Sequence, residues 1–161
     1  MFIASADGNL LGSLPAAPNL VGQPFHPEVW KDGADGGTNA YVSPVHHRQV
    51  DGRMVTDVVA AIRTRDGKTI GYIGASILIE RIGRRLSSIS FADKAHCQIV
   101  DQAGFGLFTP DFKAETEPTT STEAKLISDI RKEQRGHLSQ GGNIYSFDPL
   151  ESAQWLAIIH Q

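Results

Sequence analysis

Tight turns rich in glycine separate short apolar runs at three places in this chain of 161 residues. The three segments that share this scheme are 3–13, 61–74 and 97–108. The first two turn at Asp7-Gly8 and Asp66-Gly67, whereas the third has a longer turn. Glycine, and to a lesser degree aspartate, accepts the positive φ that short hairpin turns require. Three hairpins in a chain of this length predict an antiparallel sheet.

The composition is that of an ordinary globular protein, with 40% hydrophobic and 20% charged residues. Such values exclude a disordered, collagen-like or coiled-coil chain. The net charge of -3 provides no electrostatic attraction to nucleic acid or to anionic lipid. Because Cys97 is the single cysteine, an intrachain disulfide and a cysteine metal cluster are both excluded.

No apolar run reaches the ~18 residues that a membrane-spanning helix needs. The longest candidate, 70–79, contains two glycines and a serine. The first eight residues carry no basic residue, so they do not match a signal peptide. They match a strand entering a turn, and we therefore expect the chain to be a piece of a longer protein.

The first half of the sequence alternates predicted strands with one irregular stretch. Segment 15–37 is rich in glycine, proline and aspartate, which predicts a loop with one short helix around 27–30. Strands are expected at 39–45 and 54–63, and the meander that contains them ends at Ile79. Apolar residues then recur at helical spacing, which predicts a helix over 80–91.

The second half repeats this plan in a reduced form. A strand is expected from Ala95, a loop over 111–122 and a helix from Ser121 to about Gln134. Strands follow at 144–147 and 155–160. We therefore predict two domains, 1–91 and 92–161, with the helix at 80–91 connecting them.

This order resembles a Cache domain, specifically the double Cache type found in the extracytoplasmic parts of bacterial receptors. The segments that carry the resemblance are 5–11, 28–30, 41–43, 65–77, 99–104, Tyr145, 149–150 and 155–159. The resemblance implies an α+β fold of two tandem PAS-like antiparallel-sheet units, the second one smaller. It also implies a long helix ahead of Phe2, which we expect to have been cut off or not included.

The resemblance further implies a sensor rather than an enzyme. The ligand would be a small molecule bound in the first, membrane-distal unit, with neither metal nor cofactor. The parent protein would be a membrane-anchored homodimer, and this part would be periplasmic or extracellular. Its cytoplasmic output domain would be a histidine kinase, a diguanylate cyclase or a chemoreceptor module.

Carrying the resemblance over residue by residue places Trp30, Tyr41 and Ser76 at the ligand pocket, with Ser43 next to them. The subset that senses amino acids has an arginine two residues before the tryptophan, a tyrosine directly after it and an aspartate on the last strand. This chain has Glu28, Lys31 and Ser76 there. Both groups that would pair with a free α-amino acid are therefore missing, and burying unpaired ionic ends is costly.

Glu28 points instead to an amine or another cation, which Trp30 and Tyr41 could enclose through cation–π contacts. Ordinary packing of the two aromatic rings beneath a loop is an equally good interpretation. Asp57 lies in an apolar strand, where a buried carboxylate needs a partner. It is expected either to line the pocket or to face solvent on an edge strand.

Two alternative functions stay open at this point. A small metal-dependent hydrolase could use His46, His47 and Asp57, but neighbouring strand residues point to opposite faces, so the two histidines are poorly placed to hold one ion. The nucleophile-elbow, zinc-helix and phosphate-loop motifs of common enzymes are absent from the sequence. The other alternative is a ligand-free dimerisation module. Cys97 is expected to be a core thiol.

Overall fold

The computed structural model describes residues 1–37, 39–86, 96–102, 106–108, 121–133, 135–150 and 153–160. They form an α+β fold of antiparallel sheets with few helices. The chain divides into two compact units, unit 1 (Met1–Leu78) and unit 2 (Ile79–Gln161). No helix within the described ranges is long and apolar enough to cross a membrane.

Unit 1 is a six-stranded antiparallel sheet with a helix against one face. Its elements are β1 (Phe2–Ser5), β2 (Leu10–Ser13), a 3-10 helix (Pro18–Leu20), α1 (Pro27–Gly36), β3 (Tyr41–Val42), β4 (His46–His47), β5 (Met54–Arg63) and β6 (Thr69–Leu78). The strand order is β2-β1-β6-β5-β3, and β4 also pairs with β5. The strand β6 therefore lies in the middle of this sheet.

The predicted hairpins of unit 1 are confirmed, and glycine permits both turns. Gly8 joins β1 to β2 with φ +87, and Gly67 joins β5 to β6 with φ +84. Positive φ is strained for a residue that has a Cβ, so these positions favour glycine. The amide of Gly67 donates to the carbonyl of Thr64 at 3.0 Å, which closes the second turn.

Alternation along the strands puts one apolar set of unit 1 on the face that α1 covers. The buried residues of this core are Phe2, Ala4, Leu10, Phe25, Trp30, Ala34, Val59 and Tyr72. Gly74 makes room in it for a large ring, because a Cβ at this position would lie 2.6 Å from Cε1 of Phe2. The core therefore holds α1 close to β1 and β6.

Two elements of unit 1 differ from the sequence prediction. α1 has ten residues and continues through 32–36, which was expected to be loop. The predicted strand at 39–45 is instead two short strands, β3 and β4, on either side of Pro44. Proline has no backbone N–H to donate to a sheet, so the ladder is interrupted there.

Unit 2 is a five-stranded antiparallel sheet with order β8-β7-β11-β10-β9. Its elements are α2 (Ile79–Leu86), β7 (His96–Val100), β8 (Gly106–Phe108), α3 (Ser121–Glu133), β9 (Gly136–Gln140), β10 (Asn143–Leu150) and β11 (Trp155–His160). One side of the sheet packs on α3 through Val100, Ile127, Ile130, Phe147, Leu156 and Ile158. Cys97 is 7% exposed, as expected of a core thiol, and burial raises the pKa of its thiol.

The helices of unit 2 were predicted more accurately than its strands. α2 and α3 confirm the helices expected at 80–91 and from Ser121, although 87–91 lies outside the described residues, as does most of the loop expected at 111–122. The strand β9 was missed. Its sequence Gly-His-Leu-Ser-Gln has a single large aliphatic residue, so it lacks the alternation that identifies a half-buried strand.

Candidate functional site

Three residues predicted for the pocket lie side by side on the face of the unit 1 sheet that α1 covers. Asp57 on β5 pairs in register with Ser76 on β6. On its other side, the amide of Ser43 donates to the carbonyl of Asp57 at 2.8 Å. Ser43, Asp57 and Ser76 therefore form a polar row across the sheet, next to the apolar row of Phe2, Gly74, Val59 and Tyr41.

The hydroxyl of Ser43 adds a side-chain hydrogen bond between the segment at Pro44 and β5. The backbone amide of Asp57 donates to Oγ of Ser43 at 2.9 Å, and that hydroxyl donates to the carbonyl of Pro44 at 2.8 Å. Oγ1 of Thr56 also donates to the carbonyl of Ser43 at 2.7 Å. These contacts fix the backbone that presents the carboxylate of Asp57.

Asp57 is a buried carboxylate with one oxygen paired and the other free. Asp57 is 1% exposed, and its Oδ2 lies 3.2 Å from Nε2 of His46. Oδ1 has no hydrogen-bond partner in the part of the chain that the structure describes. Of the two expectations for Asp57, the solvent-facing position is therefore wrong.

His46 lies between two acceptors. Its Nε2 faces the carboxylate of Asp57, and its Nδ1 lies 3.1 Å from the carbonyl of Pro44. Carboxylate and carbonyl oxygens only accept hydrogen bonds. A protonated imidazole can donate to both of them, because both of its ring nitrogens carry a proton. Burial by itself lowers the pKa of His46. The hydrogen bonds to Asp57 and Pro44 and the charges of Asp57 and Glu28 raise this pKa by more than burial lowers it. The net pKa of His46 is therefore above its ordinary value of 6.5.

The first turn of α1 brings two more titratable groups to this end of the sheet. Nδ1 of His26 lies 2.9 Å from Oε1 of Glu28, and the ring of His26 is 5.3 Å from the ring of His46 between centroids. The hydrogen bond to His26 is the main reason that the pKa of Glu28 is lowered. The Glu28 side chain is 66% exposed, so it lies at the solvent side of the group.

We call His26, Glu28, His46 and Asp57 the acidic–histidine cluster. It joins the first turn of α1 to β4 and β5. Sequence reasoning named Glu28 and Asp57, considered His46 only in the hydrolase alternative and did not use His26. The position of His26 directly before Pro27 and the helix was a usable signal, because side chains there reach the end of the helix.

The two predicted aromatic pocket residues serve as packing groups. Trp30 is 1% exposed, its Nε1 donates to the carbonyl of Phe25 at 3.0 Å, and its ring meets Tyr72 edge-on at 4.9 Å between centroids. The ring of Tyr41 lies on α1 at Gly33, where a Cβ would stand 2.5 Å from Cδ2. Contact between either ring and a ligand stays a prediction.

A second polar group, which the sequence did not reveal, ties the last turn of α1 to β6. Asp35 accepts hydrogen bonds from Tyr72 at 2.7 Å, from Thr69 at 3.0 Å and from Lys31 at 3.2 Å. A guanidinium NH2 group of Arg63 donates to the carbonyl of Asp35 at 2.7 Å. The far end of α1 is therefore anchored, and its first turn is the end next to the polar row.

The hydrolase alternative needs His46, His47 and Asp57 at one point, but His47 is separated from the other two. His47 pairs with Met54 in the ladder, and its Nδ1 lies 2.9 Å from the carbonyl of Gly52. Its exposed ring thus faces a turn rather than Asp57. Among the described residues, no group of three histidine, cysteine or acidic side chains could hold a metal ion.

No protein-family model matches the chain, and no curated protein matches it. Solved structures do match. The ligand-binding domain of the Pseudomonas fluorescens chemoreceptor CtaA, in complex with L-isoleucine, has a TM-score of 0.69 and 20% identity over 99% of this chain and 66% of that one. The Campylobacter jejuni chemoreceptor Tlp3 domain, in complex with L-norvaline, has a TM-score of 0.63 and 13% identity over 100% of this chain and 64% of that one.

The extracellular domain of mmHK1S-Z3, described as a histidine kinase, has a TM-score of 0.66 and 16% identity over 86% of this chain and 56% of that one. This chain therefore spans between 56% and 66% of these three. At identities of 20% or less the likeness shows the fold. The fold is shared with the extracellular domain of a histidine kinase and with the ligand-binding domains of two chemoreceptors.

Proposed function

We propose that the chain is the extracytoplasmic small-molecule sensing domain of a bacterial transmembrane receptor. The observation that carries this proposal is the buried carboxylate of Asp57, which has one unpaired oxygen on the sheet face covered by α1. An unpaired buried acceptor is costly to a fold unless something donates to it. The match to extracellular ligand-binding domains supports the same conclusion.

The finer architecture is proposed to be that of a double Cache domain. Unit 1 would be the membrane-distal, ligand-binding unit, and unit 2 would be the membrane-proximal unit. The helix α2, which the sequence assigned to the first domain, groups with unit 2. Two separate antiparallel sheets with one helix against a core in each support this division. The polar row and the acidic–histidine cluster both belong to unit 1.

The ligand is proposed to lie against Ser43, Asp57 and Ser76, with Glu28 at the solvent side. Trp30 and Tyr41 would form the apolar wall that holds α1 over this row. The buried carboxylate of Asp57 and the nearby carboxylate of Glu28 favour an amine or another cation over a carboxylate ligand. The amino acids bound by CtaA and Tlp3 also carry an amine, although this chain has Ser76 where an aspartate was expected.

Signalling would follow from movement of the first turn of α1. This turn is held by the acidic–histidine cluster, whereas Asp35 anchors the last turn. A ligand shifts the equilibrium only by its different affinities for the two states, and couplings of about 1–3 kcal/mol are typical. The output would be a histidine kinase, a diguanylate cyclase or a chemoreceptor module in a membrane-anchored homodimer.

An apolar groove on the outer face of the unit 1 sheet is the evidence for proposing a helix ahead of Phe2 in the parent protein. Ile3 and Ile73 pair in register there and are 47% and 41% exposed. They line an apolar groove of about 270 Å³ together with Leu14. We propose that the long helix of a double Cache domain covers this groove.

A thermal-shift screen of the full 161-residue chain tests the function. Amines, carboxylates and nucleobases are added singly, and a true ligand raises the melting temperature because it binds only the folded state. At a hundredfold excess over Kd the stabilisation is about 2.7 kcal/mol. Ser76→Leu, which fills the polar row, should remove the shift, and Ile77→Leu, on the opposite face of the same strand, should keep it.

Two outcomes would contradict the proposal. In the first, no compound changes the melting temperature, as expected of a ligand-free dimerisation module. In the second, the shift survives unchanged in Ser76→Leu, which would place the ligand elsewhere.

A further inference from the structure

The unpaired oxygen of Asp57 specifies what a ligand must present. A carboxylate can only accept hydrogen bonds, so Oδ1 needs a donor. The neighbouring hydroxyl of Ser43 is already used, because it donates to the carbonyl of Pro44. The backbone amide of Asp57 is used as well, because it donates to Oγ of Ser43.

The charges around this oxygen favour a cationic donor. Protonated His46 balances the charge of Asp57, but neutral His46 leaves this buried carboxylate without its opposite charge. The ring of His26 is hydrogen-bonded to Glu28, and Arg48 forms its ion pair with Asp51 at the opposite end of β4. When His46 is neutral, a neutral donor would leave the buried charge of Asp57 unbalanced, whereas an ammonium group would balance it.

We propose that Oδ1 of Asp57 accepts a hydrogen bond from an ammonium group of the ligand, and that this ammonium competes with the protonated imidazole of His46 for the same carboxylate. This inference rests on the proposed function, names Oδ1 of Asp57 as the oxygen that partners the ligand and adds the dependence of binding on pH. In this proposal Asp57 supplies the negative charge that Ser76, which has only a hydroxyl, cannot supply.

Because of this competition, protonation of His46 and binding of the ammonium group each weaken the other. A bound ammonium disfavours the positive charge on His46, so binding lowers the pKa of His46 and releases a proton. By linkage, the affinity for the ammonium rises as the pH is raised through the pKa of His46. The charged groups facing His46 are Asp57, Glu28 and His26, and Arg48 acts on Asp57 from greater distance.

The test uses the full chain with isobutylamine, which stays protonated over the whole pH range, and with isobutyramide, its neutral counterpart of similar shape. NMR follows the ring signals of His46 during a pH titration, and the amide signals of Ser43 and Asp57 during ligand titrations. Isobutylamine should lower the pKa of His46 and shift both amides, whereas isobutyramide should do neither.

Two variants and one control complete the design. Asp57→Asn should weaken isobutylamine binding by about tenfold or more, as expected for a lost hydrogen bond to a charged group. His46→Gln should make the affinity for isobutylamine independent of pH. His47→Gln, on the opposite face of the same strand, should keep the pH dependence of the unaltered chain.

Three results would overturn the inference: an equal effect of isobutyramide, an unchanged pKa of His46 in saturating isobutylamine, or unchanged binding in Asp57→Asn. The pKa measurement needs no variant, so misfolding of Asp57→Asn would not obscure the result. If the thermal-shift screen finds a ligand whose effect does not require Asp57, the sensing function stands and this inference fails.

Discussion

The phenol of Tyr72, on the central strand of unit 1, donates a 2.7 Å hydrogen bond to Oδ2 of Asp35 in the last turn of α1. Lys31, one turn earlier in the helix, pairs with the same oxygen at 3.2 Å. This contact joins the covering helix to the middle of the sheet. Its strength therefore decides how firmly α1 is held at the end away from Asp57.

Replacing Tyr72 with phenylalanine should loosen that end of α1 without disturbing the core. The ring and its packing on Trp30 remain, but Asp35 loses a donor. Since Asp35 is about one-third exposed, we expect unfolding in urea to show a loss of about 1 kcal/mol. Asp32→Asn, an exposed position on the same helix, is the control, and an equal loss in that variant would contradict the assignment.

Adding a methyl group to α1 at Gly33 should destabilise unit 1, although alanine normally favours helices over glycine by about 1 kcal/mol. The new Cβ would lie 2.5 Å from Cδ2 of Tyr41, so the ring would have to leave its position. Overpacking of this kind costs about 1–3 kcal/mol. Chemical denaturation measures the change.

Gly36→Ala provides the matched control for Gly33→Ala, because nothing lies within 4 Å of the Cβ that it would add. We expect Gly36→Ala to be neutral or slightly stabilising. Equal destabilisation by both alanines would mean that the close packing of Tyr41 on α1 is not what requires glycine at position 33.

The pair of His46 and Asp57 should make the chain less stable as the pH rises. The pKa of His46 is raised in the folded state, so folding favours the protonated imidazole. Its contribution to the free energy of unfolding is full below pH 6.5, the unfolded value, and is lost as the pH rises through the folded pKa. Thermal melts across this range should therefore show a decline that His46→Gln removes.

His47→Gln is the control for this decline, because the exposed ring of His47 lies beside the turn carbonyl of Gly52 and not beside Asp57. The slope of stability against pH should be the same in His47→Gln as in the unaltered chain. A decline that persists in His46→Gln would assign the titration to another group.

Trp30→Ala should cost about 3–5 kcal/mol, the usual effect of removing a large buried aromatic side chain. The indole contacts Phe2 and Tyr72 and is almost fully buried. Trp30→Phe should lose much less, because it keeps most of the apolar volume. Urea titration measures both, and a near-neutral Trp30→Ala would show that the indole is not part of the core.

The hairpins were predictable from sequence because their cause is local. Gly8 and Gly67 have the positive φ that the turns require, and apolar alternation on both sides marks the strands. The ten-residue length of α1 was not predictable. Glycines 33 and 36 disfavour a helix, and the hydrogen bonds that tie Asp35 to Tyr72 and Thr69 come from residues more than thirty positions away.

The candidate site was predictable only in part for the same reason. Asp57 stood out as a carboxylate in an apolar strand, and the resemblance placed Ser76 at the pocket. The pairing of Asp57 with His46 depends on the register of β4 on β5, which the sequence does not reveal. The packing of Trp30 could not be separated from ligand contact, since both interpretations need a buried aromatic ring. Burial and the hydrogen bond from Nε1 of Trp30 to Phe25 support the packing role.

The most direct measurement of the central claim is a backbone amide NMR map of the full chain with each stabilising compound from the thermal-shift screen. If unit 1 is a ligand-binding sensor unit, the perturbed signals will cluster at Ser43, Asp57, Ser76 and the first turn of α1. Perturbations confined to unit 2, or spread over the surface of both units, would contradict the account.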